Sequence, residues 1–295
     1  MCQRLTPPTL SRLTVAGGWR WRCLLPLFFL PLVLLLGGCT PSEYQLSTRY
    51  QSANQNERIA FLILHYTDED DANSLRLLTE PEHKVSAHYL IRRDSHETPL
   101  TVYQLVPDSA RAWHAGRSRW HQYAGLNASS LGIEIVNLGY PAEDEPLAPH
   151  ARRWQPYTPQ QIAAVGALSR ELVARYQIPP TQVLGHSDVA PERKQDPGPH
   201  FPWRQLYLTY GVGAWPDEGR VAELLASPLP DWDAAMWQQQ LARYGYGLSQ
   251  TGQWDEQSRA VMGAFQLHFR ASKVDSKPDR ECQAILMAML EKYFP

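Results

Sequence analysis

Residues 58–67 read RIAFLILHYT, a run in which every position from Ile59 to Leu64 is apolar before the chain reaches His65. A strand with one wet face alternates apolar and polar residues. An unbroken apolar run belongs to a strand buried on both faces, which needs cover on each side. Working outward, SAHYLIRR (86–93), LTVYQLV (100–106) and SLGIEIVNL (130–138) are further strand candidates between turn-rich pieces, and SLRLLTE (74–80) reads as part of a short helix. A longer helix is predicted from Pro159 to about Tyr176. Thr158 can cap it, Pro159 fits the first turn, Gln161 completes a capping box, and Ile162, Ala164, Val165, Leu168, Leu172 and Val173 form its apolar face. IPPTQVLGHSD (178–188) is a short strand that delivers His186 at its end, and the proline-rich stretch from Val189 to Phe201 must be loop. The order predicts an α/β fold, a mixed central sheet flanked by helices.

ASPLPDW (226–232) marks a boundary, and the remainder reads as a small all-α domain of three helices near Ala234–Tyr244, Asp255–Phe269 and Asp279–Tyr293. A unit of that size has a marginal core of its own. At the other end, Arg4, Arg12, Arg20 and Arg22 precede the apolar run LLPLFFLPLVLLL (24–36), and no acidic residue occurs before Glu43. That is the pattern of a secretion signal. The run contains Pro26 and Pro31 and falls short of the roughly 20 residues a membrane span requires. It ends in LLGGCT (35–40), which resembles a lipobox, so Cys39 is expected to become the lipidated mature N-terminus. Thr40 after the cysteine resembles lipoproteins that pass to the outer membrane and face the periplasm. The predicted organisation is signal 1–38, tether 39–57, α/β domain 58–215, linker 216–231 and helical domain 232–295.

Of the four cysteines, Cys2 and Cys23 leave with the signal and Cys39 is lipidated, so Cys282 alone remains and no disulfide framework is available. Without residues 1–38 the chain carries 24 basic and 30 acidic side chains, a formal charge of −6 that argues against a nucleic-acid partner.

His65 and His186 each stand where a predicted buried strand opens into a loop, a position from which an imidazole can reach a cleft. Catalytic zinc takes three N or O ligands and leaves a position for water, so a nearby carboxylate on a stiff loop would complete a set. Asp188 and Asp196 are both available; Asp188 also fits a turn in which it bonds local backbone N–H groups. Glu134 sits between Ile133 and Ile135 on the opposite face of its strand. A charge in so apolar a setting needs an ion-pair partner or a polar cavity, where it could accept a proton from water. Lys194, two residues before Asp196, is either a solvated surface lysine or a cation facing the same cleft.

FLILHYT, SAHYLI, AWHAGRSRW, LGIEIVN and GHSDVAPERKQDPGP occur in this order over roughly residues 55–215, and together they resemble the zinc-dependent N-acetylmuramoyl-L-alanine amidases of the second type. The resemblance implies the mixed-sheet fold that these enzymes share with peptidoglycan recognition proteins. Carried over by position, it makes His65, His186 and Asp196 the ligands of one Zn²⁺, Glu134 the acid/base carboxylate and Lys194 the group that stabilises the transition state. His114, Trp113 and Asn127 match positions at the substrate cleft. LARYGYGLSQTGQWDEQSRAVMGAFQLHFR (241–270) resembles a small three-helix peptidoglycan-binding module. The implied partner is peptidoglycan, and the implied bond is the amide between N-acetylmuramic acid, with its 1,6-anhydro form a further substrate, and L-alanine. The chain is expected to act as a monomer. The rival reading is a non-catalytic peptidoglycan-binding lipoprotein of the same fold.

Overall fold

The computed structural model describes residues 44–56, 58–93 and 98–295, so the predicted signal and Cys39 lie outside the described residues. The chain divides into two compact units, residues 1–53 and 54–295. Residues 44–53 of the first, part of the predicted tether, form no helix or strand. No helix among the described residues is long and apolar enough to cross a membrane.

The second unit is built on the strand that the opening decapeptide foretells, β1 (Phe61–Tyr66). The other strands are β2 (Tyr89–Ile91), β3 (Val102–Gln104), β4 (Arg119–Trp120), β5 (Tyr123–Ala124), β6 (Ser130–Ile135) and β7 (Val183–Gly185). Five of them form a sheet in the order β3-β2-β6-β1-β7, parallel except for the antiparallel edge pair β2/β3; β4 and β5 form a separate two-stranded ribbon. With β1 between β6 and β7, both its edges are paired and both its faces need cover, which accounts for its unbroken apolar run.

That cover comes from two directions. Leu62 and Leu64 of β1 cluster with Leu131, Ile133 and Ile135 of β6 and with Ile162, Val165 and Leu172 of α2 (Pro159–Tyr176). The helix begins at the predicted capping box, in which Thr158 accepts from the Gln161 N–H while Gln161 Oε1 accepts from the Thr158 N–H. Phe61 and Ile63, on the opposite face, join Trp120, Leu126 and Leu184 and the C-terminal helices α6 (Ala234–Tyr244), α7 (Glu256–Phe269) and α8 (Arg280–Tyr293) in one apolar cluster. Asp233, Asp255 and Asp279 cap these three helices, each accepting the third backbone N–H beyond it.

The remaining helices are α1 (Asp71–Thr79), α3 (His186–Val189), α4 (Trp203–Tyr210) and α5 (Glu218–Ala226). Helix α5 occupies the stretch predicted as linker. Asp217 caps it, and Leu224 packs on Ala284 and Ala288 of α8, so the 216–231 segment is folded onto the helices it was expected to join. The helical region therefore shares its core with the sheet instead of enclosing one of its own. Gly245 shows how close the two lie: a Cβ there would stand 2.4 Å from the Trp120 ring.

One partly buried carboxylate ties α2 to the edge of the sheet. Asp108 Oδ1 accepts from Tyr89 OH (2.6 Å) and Gln104 Nε2 (3.0 Å), and its Oδ2 accepts from Tyr176 OH (2.7 Å) and Arg175 (3.2 Å). Burial alone would raise the Asp108 carboxyl, but these donors outweigh it and hold the group below the usual aspartate value. A lowered folded pKa gives stability that is complete above the unfolded value of about 3.9 and is lost as pH falls through the folded value. Asp108→Asn should therefore destabilise the protein by about 2 kcal/mol at neutral pH. Urea unfolding across a pH series should show the gap to wild type closing in acid; a pH-independent gap would contradict the assignment.

Candidate metal centre and catalytic cleft

The sheet register assembles the site. His65 is the fifth residue of β1 and lies opposite Glu134, the fifth of β6; Leu64 lies opposite Gly185, so His186 follows directly beside His65. All three stand at the carboxyl ends of parallel strands, where open α/β sheets place their ligand crevices. Alternation puts His65 on the side of Phe61 and Ile63, away from α2, and puts Ser130, Gly132 and Glu134 on that same side.

His65 Nδ1 and His186 Nδ1 are 3.0 Å apart, and each is 3.1 Å from Asp196 Oδ2. All three side chains are buried. The outer nitrogens have their own partners. His65 Nε2 donates to His114 Nδ1 (3.0 Å), while His186 Nε2 lies 3.2 Å from both the Ala115 carbonyl and Arg193 Nη2. The chain of donors continues from His114 Nε2 to Ser130 Oγ (3.2 Å) and from that hydroxyl to the Leu126 carbonyl (2.7 Å). This direction assigns the proton to Nε2 of His65 and leaves its Nδ1 lone pair facing the Asp196 carboxylate, with His186 Nδ1 beside it. Two imidazole nitrogens and a carboxylate oxygen converging in this way could hold a metal ion, and their chemistry fits the three N or O ligands that zinc takes in catalytic sites.

The electrostatics of His65 agree with a neutral ring. Burial and the neighbouring His186 push His65 down to about 4, although Asp196 opposes the shift. Burial would raise Asp196, but His186 and His65 outweigh it and hold the carboxyl well below its ordinary range. Glu134 moves the other way: burial and the Asp196 charge raise it well above the usual glutamate value, and Lys194 opposes that rise. Its Oε2 is buried without a hydrogen-bond partner. Ion pairing to an arginine, the alternative for this residue, does not occur among the described residues.

A cavity of about 380 Å³ opens over these groups, with Glu134, His186, Lys194 and Asp196 in its lining together with His114 and Trp113. Trp113 is about half exposed and carries the Arg111 guanidinium 4.0 Å above its ring. His114 is buried, borders the cavity itself, and also supports His65 from behind through its Nδ1. Asn127, expected at the substrate, is outside the lining: its Oδ1 accepts the backbone N–H groups of His114 (3.1 Å) and Ala115 (2.7 Å). It thus fixes the segment that backs both histidines.

The sequence reading left out Arg193, which donates to the Ala115 and Arg117 carbonyls, and the surroundings of Asp188. Asp188 is not in the convergent set; it accepts from the Gly185 N–H (2.8 Å), as the turn reading anticipated, and from two side chains of the C-terminal region. No local pattern announces those distant partners. One small residue did carry a signal: a Cβ on Gly132 would stand 2.5 Å from the His114 ring. Gly132→Ala should cost about 1–3 kcal/mol and displace His114 from His65. Urea unfolding and a crystal structure of the variant would check both; an undisturbed His114 would refute the steric role of Gly132.

Comparison with known proteins agrees with this site. Residues 55–199 match the family model described as N-acetylmuramoyl-L-alanine amidase. The chain is 41% identical to the N-acetylmuramoyl-L-alanine amidase AmiD of Escherichia coli K12 over 88% of its own length and 95% of the relative's. Its fold is similar to that of E. coli AmiD in complex with the substrate anhydro-N-acetylmuramic acid-L-Ala-D-γ-Glu-L-Lys, with a TM-score of 0.76 over 85% of this chain and 96% of the other. It is also similar to AmpDh3 of Pseudomonas aeruginosa in complex with anhydromuramic pentapeptide, at 35% identity and a TM-score of 0.72 over 88% and 99%. With the family's motifs standing at one cleft and the likeness running through nearly the whole of a relative, the chain belongs to the N-acetylmuramoyl-L-alanine amidases.

Proposed function

We propose that the enzyme cuts the amide between the lactyl group of N-acetylmuramic acid and the L-alanine of the peptidoglycan stem, using one zinc ion held by His65, His186 and Asp196. The observation that carries the metal assignment is the buried triangle of two Nδ1 atoms and one Oδ2, 3.0–3.1 Å on each edge. Bound there, zinc supplies Lewis acidity toward the scissile carbonyl and lowers the pKa of water toward about 7.

The protein groups divide the remaining work. Glu134 takes the proton of the attacking water and passes it to the departing L-alanine nitrogen; a carboxyl raised by burial suits a group that must both accept and return a proton near neutrality. As the carbonyl oxygen becomes negative, the Lys194 ammonium opposes that charge from the cavity wall. A single preorganised donor of this kind is typically worth about 2.7–4 kcal/mol in the transition state. His114 and Asn127 hold the ligand histidines, and Trp113, exposed at the cavity, offers an apolar face to the sugar or the stem peptide.

Acceptance of 1,6-anhydro muramyl ends is supported by the ligands with which the E. coli and P. aeruginosa relatives were solved. Lipid on Cys39 would hold the enzyme at the outer membrane, facing the wall, and raise the local concentration of substrate.

Glu134→Ala and Lys194→Ala are expected to keep zinc while turnover falls at least about 100-fold, and His65→Ala to lose both. Metal analysis beside release of stem peptide from purified wall measures the split, and full activity in Glu134→Ala would remove its acid/base role. Mass spectrometry of the digest should give free peptides beginning with L-alanine together with peptide-free muramyl and anhydromuramyl sugars; cleavage within the stem would overturn the proposed bond.

A further inference from the structure

Asp188 lies in α3 two residues beyond His186, is fully buried, and has no place in the convergent ligand set. Its carboxylate nevertheless meets three donors. The Gly185 N–H (2.8 Å) and His268 Nδ1 (2.7 Å) reach Oδ2, and the Tyr246 hydroxyl (2.7 Å) reaches Oδ1. The first belongs to the same turn. The other two come from the C-terminal helical region, Tyr246 just past the end of α6 and His268 in the last turn of α7.

Neither donor is free to swing. The His268 ring is stacked on Trp203 of α4, with centroids 3.8 Å apart and planes 17° apart, and on Phe269 at 4.1 Å and 11°. Tyr246 is buried against Trp120, with centroids 4.9 Å apart, and pairs with it through a β-bridge. Both rings are therefore held by packing before they meet Asp188.

The turn they grip is the one that carries the metal ligands. Gly185 donates to Asp188 and is followed by His186; Ser187 N–H donates to the Asp196 carbonyl at 2.9 Å and so closes the loop that returns Asp196 to His186. Residues 185–188 are thus fastened to the ligand loop on one side and to two helices of the C-terminal region on the other. A buried carboxylate is costly unless its oxygens are satisfied, and here both are. Deleting the donors leaves a stranded charge beside His186, which the turn can relieve only by moving.

We propose that Tyr246 and His268 are positioning residues of the metal centre, acting through Asp188 on His186, so that the C-terminal helices help set the zinc affinity of the catalytic site. The proposal rests on the zinc reading of His65, His186 and Asp196. It assigns to the Tyr244-Gly245-Tyr246 stretch a part distinct from wall binding: this stretch is buried at the joint between helices and sheet.

The test uses the full chain with Tyr246→Phe, His268→Leu, their combination and His268→Asn, whose amide N–H stands close to the position of Nδ1. Zinc affinity is measured by competition with a chromophoric chelator, well below each variant's own unfolding temperature. Steady-state rates are measured on a soluble muramyl peptide. The double variant should bind zinc about 10- to 100-fold more weakly, with kcat reduced, KM little changed, and His268→Asn recovering most of the loss caused by His268→Leu. If the double variant does not fold, Tyr246→Phe, which removes a single hydroxyl, should still weaken zinc binding several-fold. Folded variants with wild-type zinc affinity, however much their unfolding temperature falls, would show a purely structural contact and overturn the proposal. A wild-type chain that binds zinc no better than His65→Ala would instead overturn the zinc reading itself.

Discussion

The parallel hydrogen-bonding of β1 between β6 and β7 is the constraint on which the rest of the molecule depends. It puts His65 beside Glu134 and His186 at one end of the sheet. Successive residues of a strand alternate faces, so a slip of one residue would turn His65 into the α2 side, and a slip of two would move it about 6.6 Å along the strand, out of line with Glu134. The register is fixed away from the chemistry. Leu62 and Leu64 pack into the α2 cluster while Phe61 and Ile63 pack into the cluster of the C-terminal helices, so each face of β1 has its own apolar cover. Apolar packing thereby positions polar atoms that contribute little to holding the fold.

The same sheet face shows how a polar site is kept in a dry setting. Above β6 the side chains of Ser130, Gly132 and Glu134 leave room that His114 fills, and the donor chain from His65 through His114 and Ser130 to Leu126 pairs each buried group in turn. Glu134 Oε2 stands outside this accounting, buried and unpaired. Such an atom costs stability, and its place at the cavity fits the acid/base role proposed for it.

Features encoded within a few residues were legible in the sequence. The capping box at Thr158, the approximate spans of α6, α7 and α8, and the unbroken run of β1 each follow from neighbours along the chain. The five motif residues His65, Glu134, His186, Lys194 and Asp196 were legible by resemblance; the structure puts the last four in the lining of one cleft and His65 directly behind it, 3.1 Å from Asp196. Contacts between distant segments left no such mark. Asn127 looked like a cleft residue because it travels with cleft motifs, yet its side chain serves backbone N–H groups 12 and 13 residues away. Residues 216–231 looked like a linker because of their prolines, while Leu224 makes their helix part of the α8 surface. His268 received no role from the sequence; only the fold brings it to Asp188.

The position of the C-terminal helices follows from the need of β1 for cover. Phe61, Ile63, Trp120 and Leu126 form a surface that nothing in the α2 layer reaches, and the helices bury it with Trp237, Leu241, Phe265 and Met289. A region of this size gains little from a private core, so sharing one with the sheet stabilises both partners. The sharing has a geometric consequence. Once α7 lies against α3 and α4, a side chain near its end stands within hydrogen-bonding distance of the ligand turn, and Asp188 is where the two meet. Packing that began as cover for an apolar strand thus ends two residues from His186, and the accuracy of that packing passes to the site through a single carboxylate.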